Sequence, residues 1–152
     1  MEKRTEFNSA LKEALKNKDQ VATATIRLIL AALKDCDIAA RAKGNSEGIE
    51  ENEILSMLAT MIKQRQESAK TYSEAGRDDL AEREEAEVEI IQGFMPKQLS
   101  DAEASEVVDT LILELGASSI KDMGKVMGEL KTRYAGQVDM GKAGALVREK
   151  LS

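Results

Sequence analysis

The sequence predicts an all-α protein: an N-terminal four-helix domain followed by a small three-helix tail domain. Three observations carry that prediction. Helix breakers are few, with one proline in 152 residues. The composition is rich in Ala, Glu, Lys and Leu, which are strong helix formers. Apolar residues recur at three- and four-residue spacing along most of the chain, as in helices with one buried face. No stretch reads convincingly as a strand. Hydrophobic residues make up 42% and aromatics only 3%, so the core must be built from Ala, Leu, Ile, Val and Met. The length fits one domain or two small ones.

The first helix is expected over residues 4–17, with Phe7, Leu11, Ala14 and Leu15 on its apolar stripe. Asp19 is a good N-cap for a second helix running to about Lys43. Ile26, Ile29, Leu30, Leu33 and Ala40 supply its apolar face. Val21, Leu28 and Ala32 widen that face, which predicts that this helix is the most buried one. Gly44–Gly48, GNSEG, reads as a loop. A third helix is expected over about Glu51–Ala75, with Ile54, Leu58, Met61, Ile62, Ala69 and Tyr72 facing inward. Lys63, Gln64, Arg65, Gln66, Glu67 and Lys70 are assigned to its outer face. Gly76 follows its C-cap, and Asp78 caps a fourth, acidic helix ending at about Gln92. The domain boundary falls at Gly93-Phe94-Met95-Pro96, because Pro96 disfavours a helical Met95. The domains are therefore 1–95 and 96–152.

In the tail, Ser100 with Glu103 is a capping box that opens helix five. Its stripe is Val107, Val108, Leu111, Ile112 and Leu115, and Gly116 ends it. Ser119 and Asp122 form a weaker cap for helix six, 120–134, which Gly136 ends. Asp139 caps helix seven, 140–151, with Met140, Val147 and Leu151 inside. A module of this size has a marginal core alone, which makes docking onto the first domain or a partner an expectation.

Gly124 and Gly128 lie inside helix six, four residues apart and so on one face. A glycine within a helix costs about 1 kcal/mol relative to alanine. The face they share lets something approach the backbone. The simplest use is packing against a neighbouring helix; the second is a ligand or nucleic-acid backbone lying there.

The absence of histidine removes Ser–His and Cys–His catalysis and His-ligated metal sites. Cys36 is the single cysteine, so neither an intramolecular disulfide nor a zinc cluster is expected. Glu82, Glu84, Glu85, Glu87 and Glu89 read as a solvated helix face, not a metal site or an acid–base pair. Gly136–Lys142 has the GxxxxGK spacing of a phosphate loop, but Ala143 stands where a hydroxyl should hold Mg²⁺, and a helix precedes it instead of a strand. Ser118 and Ser119 beside Lys121 are weak candidates for a Ser–Lys nucleophile, since Ser119 serves better as a cap. No catalytic residue, metal or cofactor is expected. With no apolar h-region and no stretch long enough to span a membrane, the chain reads as cytoplasmic.

Charge is unevenly spread. The net charge is −6, yet residues 1–43 carry +3, 44–100 carry −7, 101–116 carry −5 and 117–152 carry +3. Lys121, Lys125, Lys131, Arg133, Lys142, Arg148 and Lys150 all fall within about 30 residues, beside the side-chain-poor backbone at Gly124 and Gly128. Such a cluster can hold phosphates. Tyr134 is the single aromatic residue of the tail, so RNA would be met through backbone shape, not base stacking. The candidate RNA- or partner-binding set is Lys121, Gly124, Lys125, Gly128, Lys131, Arg133 and Lys142.

GASSIKDMGKVMG, followed by Gly136, Asp139 and Gly141, resembles the tail of the GatB/YqeY family, and most closely its stand-alone YqeY-like members. LKEALKNKD, IRLILAALKD and the run from KQRQESAKTY through FMPKQLS are similar to the family's helical N-terminal part. The tail-motif matches are Gly116, Asp122, Met123, Gly124, Lys125, Val126, Met127, Gly128, Gly136 and Asp139. The resemblance implies an all-helical, two-part protein similar to the C-terminal helical and tail region of the aspartyl/glutamyl-tRNA amidotransferase B subunit. There the tail helps hold the tRNA body. The family label of carbon–nitrogen ligase with glutamine as amido donor belongs to the large enzyme; nothing in this chain reads as activating a carboxylate or hydrolysing an amide. The expectation is a non-catalytic helical module associated with tRNA or a tRNA-processing enzyme, with neither DNA nor membrane as partner. The alternative is a protein–protein docking module with no RNA contact.

Overall fold

The computed structural model describes residues 2–152, and among these it is all-helical. The α-helices are α1 (Lys3–Lys16), α2 (Gln20–Ala42), α3 (Glu51–Glu74), α4 (Asp78–Gln92), α5 (Asp101–Leu115), α6 (Met123–Arg133) and α7 (Met140–Leu151). A single 3₁₀ turn, Ile120–Asp122, leads into α6. The chain forms two compact units that meet in sequence between Met95 and Pro96.

In the first unit, α1 and α2 make one helical hairpin and α3 and α4 another, with α4 also packing on α2. The turn after α1 places Lys18 in the left-handed region at φ 57°. Asp19 then caps α2 by accepting from the Ala22 N–H, which satisfies one of the orphan donors of the first turn. The core is Phe7, Ile29, Leu33, Ile54, Leu58, Met61 and Ile91. Phe94, just past α4, meets Phe7 edge-to-face with centroids 5.0 Å apart.

Three expectations are corrected in this unit. Val21 and Leu28 do not widen the buried face of α2; they remain 45% and 47% exposed. All-round apolar character marks a helix that has something to cover, and the chain itself covers only one side of this one. Arg65 is not on the outer face of α3. Its guanidinium donates to Glu87 at 3.1 Å and to the Met61 carbonyl, and both members of the ion pair are largely enclosed. The acidic face of α4 is thus anchored at Glu87. Asp78 does not cap α4 but is its first helical residue, and Arg77 takes the cap position without a side-chain bond. Asp78 and Asp79 both lie in the first turn, where negative charge favours the helix dipole.

In the second unit, the box at Ser100 and Glu103 forms as expected, each side chain accepting from the other's backbone N–H. The core is Val108, Leu111, Val126, Leu130, Ala143, Val147 and Leu151. The Leu99 N–H donates to the Gln137 carbonyl, tying the segment before α5 to the α6–α7 loop. That loop turns through Gly136 at φ 73°, a left-handed value that favours glycine.

Candidate nucleic-acid interface

The sequence of α6 divides it cleanly. Val126 and Leu130 enter the core. On the other side Gly124, Lys125, Gly128, Lys131 and Thr132 are all exposed and fall within an arc of about 120° at 100° per residue. Lys121 stands in the 3₁₀ turn just before them, also exposed. The turn is set by Asp122, whose carboxylate accepts from the backbone N–H groups of Ser118 and Ser119. Those bonds, the Ser118 one foremost, hold the carboxyl below its ordinary range, with a smaller contribution from Lys125.

The two glycines do not pack against a neighbouring helix. A Cβ added at either position would meet nothing within 4 Å. Helix packing, the simplest expectation for them, is therefore corrected: the bare strip of α6 backbone faces outward. The close approach of α6 and α7 falls instead at Gly144, where an added Cβ would sit 3.8 Å from the methyl carbons of Met123 and Met127. Its signal in the sequence was its place one residue after Ala143 and three before Val147, both of which are buried.

The remaining candidate residues are distributed unequally. Arg133 lies to the side of the strip, where its guanidinium bridges Glu114 and Glu129, each at 2.8 Å. The Glu114 bond foremost, then both carboxylate charges, raise its already high pKa. Its charge is neutralised within the chain, unlike those of Lys121, Lys125 and Lys131, which have no ion pair among the described residues. Lys150 is likewise held, by Asp109 at 2.6 Å. Lys142 is exposed in the first turn of α7, not on α6.

The phosphate-loop spacing at Gly136–Lys142 has a specific occupant. The Asp139 carboxylate accepts from the Gly141 N–H at 2.8 Å and the Lys142 N–H at 3.2 Å. Amides that would cradle a phosphate are capped by the chain's own anion, which makes the stretch a helix start.

Elsewhere, an open groove of about 530 Å³ runs between α3 and α4, lined by Gln66, Lys70, Ser73, Glu74, Glu85 and Glu89 among others. No group of three or more Cys, Asp or Glu residues among the described residues is arranged to hold a metal. No helix of the described residues is long and apolar enough to cross a membrane.

These features define a class: an all-helical protein whose C-terminal unit presents a lysine-edged helix face bare at two glycines. The sequence model described as Yqey-like protein matches residues 4–151, and the chain belongs to that family. Among its relatives are proteins named "Altered inheritance of mitochondria protein 41, mitochondrial". The one from Lachancea thermotolerans is 33% identical over 111 residues, covering 72% of this chain and 57% of its own length. The one from Saccharomyces cerevisiae is 29% identical over 126 residues, covering 79% and 65%. The one from Clavispora lusitaniae is 34% identical over 110 residues, covering 71% and 61%. The chain thus aligns with about three-fifths of the length of these relatives.

Those names overturn the cytoplasmic expectation drawn from the sequence. Its physical basis was too narrow. An apolar leader and a membrane span are only two routes out of the cytoplasm. Segments that direct a protein to mitochondria are amphipathic and Arg- and Ser-rich, with no apolar h-region.

Proposed function

We propose that this chain is a non-catalytic RNA-binding helical module that engages the backbone of a folded RNA of the tRNA class through the outer face of α6. The single observation that carries this reading is the pair of exposed helical glycines with nothing over them, set among unpaired lysines. Side-chain-free backbone allows a bulky chain to lie close. Lys121, Lys125 and Lys131 then reach phosphates on either side, and Lys142 adds a fourth contact from α7. Helix carbonyls at the bare strip can accept from ribose 2′-hydroxyls, the group that distinguishes RNA from DNA. Recognition is by shape, in keeping with the absence of fully exposed aromatic side chains among the described residues. The resemblance of the tail to that of the amidotransferase B subunit supports tRNA as the RNA class.

Fluorescence anisotropy with labelled, unfractionated tRNA tests this. Four phosphate contacts give a log–log salt slope of about −3 to −4. Binding seen at about 50 mM salt should fall off steeply towards about 500 mM. Gly128→Leu should abolish it while leaving the helical circular dichroism intact. Undetectable binding at low salt, or binding indifferent to salt and to Gly128→Leu, rejects the reading. Ammonia released from glutamine by the purified chain alone rejects its non-catalytic part.

A further inference from the structure

α2 carries two apolar faces, and the chain uses only one. Ile26, Ile29 and Leu33 are buried. On another side Val21, Ala24, Leu28, Ala31 and Ile38 are all exposed, with Asp35 in line between the last two. Their spacing of three, four, three, four and three residues is that of a and d positions sustained over two and a half heptads. Val21, Leu28 and Ile38 keep 45%, 47% and 51% of their surface. At 1.5 Å per residue the row runs for about 26 Å. Single exposed apolar residues are ordinary on a protein surface. A row that keeps heptad register is not a scatter. It is the narrow seam that one helix offers to another.

The flanks of the seam differ. Arg27, Lys34 and Arg41, seven residues apart, occupy the g positions. All three are exposed and none has an ion pair among the described residues. The e positions hold Thr25, Ala32 and Ala39, which carry no charge. Charges at e and g set partner choice in paired helices. We propose that α2 docks an amphipathic helix of a partner protein, one with its own apolar heptad seam, carboxylates opposite Arg27, Lys34 and Arg41, and a cation opposite Asp35. A second copy of this chain fits poorly. Antiparallel pairing would set the basic row against itself, and parallel pairing would set Asp35 against Asp35. An anionic bilayer also fits poorly. A two-in-seven seam is narrower than the broad apolar face of an interfacial helix, it lacks aromatic residues, and a bilayer would desolvate Asp35. This surface lies in the first unit and is independent of the RNA reading of α6.

The test uses the full chain and two labelled synthetic peptides of three heptads. Both carry Leu at a and d; one has Glu at every e and g position, its twin Lys. Anisotropy should show the Glu peptide binding at least about tenfold more tightly than the Lys twin, a factor of about 1.4 kcal/mol. The preference runs against the chain's net charge of −6, which by itself favours the Lys peptide. Leu28→Glu should abolish binding with no change in the helical circular dichroism. The triple reversal Arg27→Glu, Lys34→Glu, Arg41→Glu should invert the preference. Equal binding of the two peptides, binding of neither, or binding unmoved by Leu28→Glu would overturn the proposal. So would either of two effects removed by Leu28→Glu. One is a concentration-dependent dimer seen by sedimentation, which would make the occupant a second copy. The other is capture on phosphatidylserine–phosphatidylcholine vesicles, which would make it a bilayer.

Discussion

Asp37 joins three stretches that are far apart in sequence. Its carboxylate takes a two-pronged contact from Arg4 of α1 at 2.6 and 2.9 Å and accepts the Ile49 N–H just before α3 at 2.9 Å. The same guanidinium donates to the Ile49 carbonyl at 3.0 Å. The Arg4 bond, aided by the Ile49 N–H, holds the Asp37 carboxyl below its ordinary range. A carboxylate with a depressed folded-state pKa stabilises above its unfolded value of about 3.9 and loses that contribution as pH falls through the folded value. Stability from this residue is therefore complete at neutral pH and is lost only in acid, below about pH 4. Asp37→Asn keeps the shape and an oxygen to accept the Ile49 N–H but removes the charge. It should cost about 1–2 kcal/mol at pH 7, at the lower end for a charged bond because the pair is partly exposed. Urea melts at a series of pH values check this. The difference between wild type and variant should shrink below about pH 4, and a constant difference would show that packing, not charge, is at work.

At the scale of the element, α6 sets stability against binding. An alanine at Gly128 would enter open space in a helical backbone, so Gly128→Ala should raise stability by about 0.5–1 kcal/mol. Gly124 lies in the first turn, where the gain is smaller. If the outer face serves RNA, the same substitution weakens tRNA binding while raising the midpoint of thermal unfolding. A fall in that midpoint would contradict the open space around Gly128. This element also shows where the sequence was legible and where it was not. Spacing placed both glycines on one face. It did not say whether that face was covered, because helical period gives direction around an axis and not the presence of a neighbour. α2 failed for the same reason: Ile29 and Leu28 are equally apolar, and only the position of α1 and α4 decides that one is buried and the other bare. Local chemistry was more readable. Ser100 with Glu103, Asp19 and Asp139 announced their helices because a cap acts within three residues of itself. The pairing of Arg65 with Glu87 spans 22 residues and leaves no such local trace. In the candidate site, the lysines were visible as composition. That Arg133 is tied to Glu114 while Lys131 stands free follows only from how α5 lies against α6.

At the scale of the molecule, each core is closed by residues of its own unit. Phe7, Ile29, Leu33, Ile54, Leu58, Met61 and Ile91 all precede Pro96, while Val108 through Leu151 all follow it. We propose that the two units unfold as separate cooperative domains. The second is the smaller and, on the scaling of buried surface with chain length, the less stable. Calorimetry of the full chain should then show two transitions, the lower one belonging to residues 96–152. Two substitutions assign them. Phe7→Ala removes a fully buried ring that also meets Phe94; at about 3–5 kcal/mol it should lower the upper transition and leave the other in place. Val147→Ala deletes a fully buried side chain from the second core and should lower only the first transition, by several degrees for each kcal/mol in a domain this small. A single transition that both substitutions shift would mean that the units fold as one, and the α6 face would then have to be understood as part of a larger rigid body.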